Sequence, residues 1–311
     1  MADLARHITG WIGLGRMGLV MAERLAKAGA DLAGYNRTRA KAEPLENAGV
    51  RLVGTPVELA DRDIVFTMVS TAADLRQVLL GPDGLFSDTR RAPKILVELS
   101  TVSPEESAEL RTTVSARGTQ MLAVPVSGND AVARAGKLSV LVSGPAAGAY
   151  DVVAPYLACF GPSVKYVGDG DGARVVKLCH NMLLGIVFEG LAEVTVLAEK
   201  SGVPRHVFMD CINSSVLGST FTRYKTPVIA NLDFNVTFTH TLMRKDLDLG
   251  LDAGRRSGTK LPATQVVRDL VQRCVDEGKA EADYTTMLQR LAADAGLELT
   301  PDGVTVSDGL S

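Results

Sequence analysis

Residues 7–35 read HITGWIGLGRMGLVMAERLAKAGADLAGY. His7 to Ile12 has the character of a short buried strand. Gly13-Leu14-Gly15-Arg16-Met17-Gly18 is a G-x-G-x-x-G turn. The LVMAERLAKAG that follows is helical in pattern and stops at Gly29, and Asp31 to Tyr35 is a second strand. Strand, glycine turn, helix and strand within about thirty residues form the context in which this spacing binds a dinucleotide. Gly13 permits the tight turn, Gly15 lets the backbone approach the pyrophosphate at the helix N-terminus, and Gly18 lets helix and strand pack closely. All six turn residues are candidate cofactor contacts.

The end of the second strand selects the cofactor. An acidic residue there would bind the ribose 2′-hydroxyl of NAD. This chain has Asn36, Arg37 and Thr38 instead, with Lys41 following. Arg37 can pair with a 2′-phosphate and Thr38 can donate a hydrogen bond, which favours NADP and leaves NAD possible. The competing reading of Arg37 is a solvated arginine at a strand end.

Working outward, the alternation continues. Val50–Val53, Asp63–Val69, Lys94–Leu99 and Gln120–Val124 read as strands, and Leu138–Val142 and Ser163–Val167 as the last of the sheet. Ala72–Leu80 and a stretch opened by Pro104 read as helices. Pro44 falls in a helical run and should kink or shorten it. Strand and helix in turn imply a doubly wound parallel α/β sheet, with ligands beyond the carboxyl ends of the strands. Gly13, Asn36, the Met68-Val69-Ser70 segment, Thr101 and Ser127 lie at such ends.

Residues 168–200, GDGDGARVVKLCHNMLLGIVFEGLAEVTVLAEK, read as one long helix of roughly 40 Å at ~1.5 Å per residue. Its middle is apolar on nearly every side, which predicts a buried central helix. Lys177, His180, Asn181, Glu189 and Glu193 argue against a membrane span. Lys177 stands on the first turns with Asn181 one turn on, on the same face. Lys177 reads either as a snorkelling surface lysine or as a proton donor at the rim of an apolar cleft. Beyond this helix, Val203–Asn213, Thr241–Gly258, Leu261–Glu277 and Asp283–Ala295 read as helices. Residues 214–240 read as a Ser/Thr-rich segment. The tail from Leu297 reads as loose. The expected division is residues 1–168 and 169–311.

Composition sets the outer limits. The 311-residue chain is 46% hydrophobic and 22% charged, with a net charge of −3. That is ordinary for a soluble globular protein and offers no basic surface to nucleic acid or anionic lipid. The four cysteines, Cys159, Cys179, Cys211 and Cys274, have no metal-ligand spacing, so no metal is expected. No signal sequence is read in the glycine-interrupted N-terminal segment, and a cytoplasmic location is expected.

These motifs resemble those of the β-hydroxyacid dehydrogenases, the group containing 3-hydroxyisobutyrate dehydrogenase and tartronate semialdehyde (2-hydroxy-3-oxopropionate) reductase. The resemblance rests on GLGRMG at 13–18, NRT at 36–38, ELSTVSP at 98–104, PVSG at 125–128, KLCHN at 177–181, LAEKSGV at 197–203 and RKDLDL at 244–249. It implies a Rossmann domain joined by a long helix to an all-helical domain. It also implies hydride transfer between a nicotinamide and a small 3-hydroxy acid or its semialdehyde, with no metal. Lys177 is then the catalytic lysine and Asn181 its partner. Ser127, Gly128 and Asn129 hold the substrate carboxylate, and Thr101 lies near nicotinamide and substrate. Phe238, Lys245 and Asp246 close over the cofactor. A homodimer or homotetramer is expected from the apolar helix. Where the group often has a second glycine and a first asparagine, this chain has Asn129 and His180, which bears on the substrate. An imine reductase and a non-catalytic NADP-binding module are the alternatives; the retained Lys177 speaks against both.

Overall fold

The structure, a computed structural model, describes residues 4–309. The chain divides into two compact units, Met1–Lys177 and Leu178–Ser311.

The first unit is built on β1 (Ile8–Ile12), α1 (Arg16–Lys27), β2 (Asp31–Tyr35), β3 (Arg51–Leu52), β4 (Ile64–Thr67), α2 (Ala72–Leu80), β5 (Ile95–Glu98), α3 (Pro104–Ser115) and β6 (Gln120–Ala123). The strands form one sheet in the order β3-β2-β1-β4-β5-β6, parallel throughout. Every residue of β4 and β5 is buried, as in a parallel sheet covered on both faces. Trp11 of β1 stacks on Phe66 of β4 at 5.3 Å and meets Phe160 edge-on at 6.0 Å. Pro104 opens α3 behind the cap Ser103, whose hydroxyl accepts from Glu106 N.

Two expectations are corrected here. Leu138–Val142 and Ser163–Val167 do not extend the large sheet. Within them, β8 (Ser139–Val142) and β9 (Ser163–Tyr166) pair with each other, and β8 runs antiparallel to β7 (Val126–Ser127) in a separate three-stranded sheet. Pro125 has no N–H to donate, so the β6 ladder ends there and the chain turns into β7. Two short helices, α4 (Asp130–Arg134) and α5 (Asp151–Leu157), link these strands. Pro44 kinks no helix either. It sits in the first turn of a 3₁₀ helix, Glu43–Ala48, where a missing N–H costs nothing.

α6 (Gly172–Lys200) starts in the first unit and continues into the second. The second unit adds α7 (Arg205–Ser214), α8 (Thr220–Asn231), α9 (His240–Ser257), α10 (Pro262–Cys274) and α11 (Met287–Asp294). Its core is an apolar cluster that includes Phe188, Met209, Ile229, Met243, Leu247, Val271 and Leu288.

The second unit supplies a helix the sequence left unassigned and changes two readings. α8 fills the Ser/Thr-rich segment. Ser219 caps it through Thr222 N, and Thr226 returns its hydroxyl to Thr222 O at 3.0 Å, so the hydroxyls serve the helix itself. The tail is not loose. Leu297 and Leu299 pack on the core, and Asp302 accepts from His206 N at 2.8 Å and lies 3.1 Å from the buried Arg205. Asn231 holds Val304 O at 2.8 Å. α6 is buried on one side only. Phe188, Leu191, Ala192 and Val196 face the core, while Val176, Leu183, Val187, Val194 and Leu197 are 40%, 59%, 40%, 44% and 66% exposed.

Candidate active site

The glycine turn leads from β1 into α1. Gly13 has φ of +93°, and a Cβ there would stand 2.1 Å from Met68 O; one on Gly18 would stand 2.0 Å from Gly13 O. Both positions therefore exclude any side chain. The Trp11 indole N–H donates to Gly13 O at 3.1 Å and fixes the turn from inside the core. Gly15 differs: no atom lies within 4 Å of where its Cβ would be. Gly15 is also the N-cap of α1 and gives it no side-chain cap, so no side chain of the cap competes for the N–H groups of the first turn. Open space before an uncapped helix N-terminus fits a pyrophosphate.

Asn36 ties the turn to the end of β2. Its Oδ1 accepts from Leu14 N at 3.0 Å and its Nδ2 donates to Thr38 O at 2.8 Å. Arg37 is solvent-exposed and pairs with Asp74 Oδ1 at 3.1 Å. Asp74 in turn accepts from the Thr71 hydroxyl at 2.7 Å. Met68 and Val69 are half-buried beyond β4 and Ser70 is exposed. Val69 N donates to Ser100 Oγ at 2.9 Å, joining the ends of β4 and β5. Thr101 is half-buried one residue on.

Ser127 ends β7, and Gly128 follows with φ of +130°, where a Cβ would strike Leu138 and Val132 side chains at 2.6 and 2.8 Å. Asn129 caps α4, its Oδ1 accepting from Val132 N at 3.0 Å. The local fold thus accounts for both Gly128 and Asn129.

Lys177 lies in the second turn of α6 and is 8% exposed. The turn below it is clamped. Arg174, three residues earlier, is buried against the carboxylate of Glu98 and donates to Ser100 O at 2.8 Å. Asp171 meets Arg111 of α3 at 2.5 Å. Burial pushes the Asp171 carboxyl up and the Arg111 bond pulls it down; the result is a lowered pKa. Glu98 also accepts from Ser100 N at 2.8 Å. The foot of the lysine helix is therefore fixed to the ends of β5 and α3.

In the second unit, Asn181 is buried, and its Nδ2 donates to Asp246 Oδ2 of α9 at 2.5 Å. That leaves Oδ1 as an acceptor, and His180 Nδ1 lies 3.1 Å from it, so the proton sits on Nδ1 in this pairing. Lys245 Nζ is 3.3 Å from the other Asp246 oxygen. Phe238 is half-buried with its ring edge-on to Tyr284 at 6.0 Å. Among the described residues no cluster of His, Cys, Asp or Glu could hold a metal ion.

Sequence reasoning missed the Glu98–Arg174 pair and the role of Trp11. A signal for the first existed: an acid inside the apolar run KILVEL demands a buried cation somewhere.

The family model described as the NAD binding domain of 6-phosphogluconate dehydrogenase matches residues 8–168. A second, described as the NAD-binding domain of NADP-dependent 3-hydroxyisobutyrate dehydrogenase, matches residues 170–291. An uncharacterized oxidoreductase of Shewanella frigidimarina is 33% identical, over 90% of this chain and 97% of its own. The mitochondrial 3-hydroxyisobutyrate dehydrogenase of Drosophila melanogaster is 30% identical, over 89% and 87%. Among solved structures, 3-hydroxyisobutyrate dehydrogenase from Salmonella typhimurium superposes with a TM-score of 0.81 at 26% identity, covering 91% of this chain and 99% of that one.

Proposed function

This chain belongs to the β-hydroxyacid dehydrogenase family and is an NAD(P)-dependent hydroxyacid dehydrogenase, and we propose that it prefers NADP(H) and acts on a small 3-hydroxy acid or its semialdehyde. The substrate class proposed is that of 3-hydroxyisobutyrate or of tartronate semialdehyde and glycerate. The observation that carries the reading is Lys177, a nearly buried lysine on a helix foot clamped by Arg174, Glu98, Asp171 and Arg111. A lysine kept from water at a fixed position is suited to proton transfer.

The bound nicotinamide supplies or accepts the hydride. Gly13, Gly15 and Gly18 with the α1 N-terminus bind the pyrophosphate, and Asn36 fixes that turn against the adenosine end. Arg37 and Thr38 meet the 2′-phosphate. Lys177 gives its proton to the carbonyl oxygen on reduction and takes it back on oxidation. Ser127, Thr101 and the N–H groups near Gly128 orient the substrate acid, and Asn181 is held for its part by Asp246. The description of the second family model as NADP-dependent supports the cofactor preference. Arg37 in place of an acid supports it too.

A turnover assay with NADPH and NADH across three- and four-carbon hydroxy acids and their semialdehydes tests the proposal. NADPH-dependent reduction of a semialdehyde is expected. Turnover of cyclic imines alone would favour an imine reductase, and tight NADPH binding without turnover of anything would favour a non-catalytic module.

We also propose a homodimer or homotetramer joined through the helical unit. The exposed apolar stripe on α6 supports it, because such a stripe in water favours burial against a partner.

A further inference from the structure

The first turn of α1 runs against the field of its own helix. A helix carries a partial positive charge at its N-terminus, so acids are favoured there and cations are not. α3 follows that rule, with Glu105 and Glu106 in its first turn behind the capping Ser103. α1 reverses it. Its first residue is Arg16, its first turn holds no acid, and its N-cap Gly15 brings no side chain. From residue 4 to residue 22 the sequence has no Asp or Glu.

Other arginines of the chain are met by oxygen. α7 also opens on an arginine, but Arg205 is buried between the carboxylates of Glu199 and Asp302. Arg37 and Arg39, beyond β2, pair with Asp74 and Glu46. Arg24, further along α1, donates to the carbonyls of Cys159 and Arg134. Arg16 is exposed, and among the described residues no carboxylate pairs with it.

The space at this charge is open. No atom lies within 4 Å of a Cβ built on Gly15, whereas one on Gly13 or Gly18 would strike backbone. The turn is held from its other sides, by Asn36 at Leu14 N and by Trp11 at Gly13 O. A cation and a helix N-terminus of the same sign thus stand together with nothing in the local fold to offset them. A residue that conflicts with its own helix in this way marks a site that a ligand completes.

We propose that Arg16 is a counter-ion for the pyrophosphate of the bound dinucleotide, adding a charged side chain to what the glycine backbone offers. It serves both cofactors alike, because NADH and NADPH carry the same pyrophosphate; Arg37 and Thr38 remain the residues proposed to tell them apart. This rests on the reading of the chain as an NAD(P)-dependent enzyme. The charge destabilises the empty helix, and the nucleotide removes that conflict.

The test is equilibrium binding by calorimetry on the full chain, without substrate. The probes are NADPH, NADH and ADP-ribose, which keeps the pyrophosphate and lacks nicotinamide. Arg16→Gln is expected to weaken all three by a common factor of about ten. It should also flatten the fall of affinity with salt. Arg16→Lys should keep most of the affinity. The melting temperature of nucleotide-free Arg16→Gln should equal that of the wild type or exceed it, since a cation leaves the positive end of a helix. Unchanged affinity overturns the proposal. A loss confined to NADPH overturns it by placing Arg16 at the 2′-phosphate, and a loss that spares ADP-ribose does so by placing it at the nicotinamide. A lower melting temperature of the nucleotide-free variant would make Arg16 structural. If the wild-type protein binds none of the three, the NAD(P) reading itself fails, and the role of Arg16 falls with it.

Discussion

At the scale of single residues, Lys177 is the side chain on which the proposed chemistry depends. It is 8% exposed and lies one turn past the Arg174–Glu98 pair, which fixes the turn of helix beneath it. Lys177→Ala is expected to lower kcat at least about 10²-fold, the scale of a lost general acid or base. Lys177→Arg should fail as well, since a guanidinium keeps its proton near pH 7. NADPH affinity, measured by fluorescence titration, should barely change, because the nucleotide turn lies at Gly13–Gly18. A variant that loses NADPH binding along with turnover would make Lys177 structural. Arg37 gives a second prediction. Arg37→Ala should weaken NADPH more than NADH by about 1.5–3 kcal/mol, the worth of a charge-assisted bond to phosphate. Arg37 is held by Asp74 at 3.1 Å, so Asp74→Asn should shift the balance toward NADPH by releasing the guanidinium. The glycine turn was legible in the sequence because local spacing carries it, while the roles given to Arg37 and Lys177 are what those two assays decide. The Glu98–Arg174 pair was not, because its members are 76 residues apart and only the folded chain joins them.

At the scale of elements, α6 shows how a helix can be positioned from its foot. Arg174 is 1% exposed and Glu98 is fully buried, so removing one partner strands a charge in the core. Glu98→Gln is expected to cost about 3–5 kcal/mol of stability. In a unit of this size that is a drop of roughly 10 °C in Tm by calorimetry. Turnover should fall with it as the turn below Lys177 loosens. The neighbouring Asp171–Arg111 pair adds a pH dependence. The folded pKa of Asp171 is lowered from 3.8, so its contribution is present above 3.8 and is lost as pH falls through the lower folded value. Arg111→Met should therefore bring the acid unfolding of the first unit to a higher pH, followed by circular dichroism; an unchanged midpoint would mean the pair is without weight. Helices with apolar periodicity were legible in outline. α8 was not, because Ser and Thr carry little helical signal in sequence, and only the folded chain shows their hydroxyls bonding back to the helix's own backbone. β8 and β9 were legible as strands, but a proline at 125 decided which sheet they joined.

At the scale of the whole molecule, the open question of assembly lies on the outer face of α6. Val176, Leu183, Val187, Val194 and Leu197 fall on one face at helical spacing, and Leu183 and Leu197 are more than half exposed. The sequence made this helix look buried all round; the chain alone covers one side, and the remainder fits an isologous contact with a second copy. Glu189 and Glu193, one turn apart, accompany the stripe. Burial and the hydrogen bond and charge of Glu193 push the Glu189 carboxyl up to about 7. For an acid with a raised pKa the sign is the reverse of the Asp171 case. Its contribution to stability is full below the ordinary value of 4.5 and declines as pH rises toward about 7, where the folded protein must finally carry both charges. Bringing two such pairs together across a two-fold axis adds repulsion between chains. Association is therefore expected to be tighter at pH 6 than at pH 8 in sedimentation velocity, and Glu189→Gln should make the two equal. Leu183→Glu, on a side chain 59% exposed, should dissociate the assembly while leaving the melting curve of the single chain nearly unchanged. If the wild-type protein sediments as a single chain at micromolar concentration at both pH values, the stripe is not an interface between copies and the pH argument falls with it.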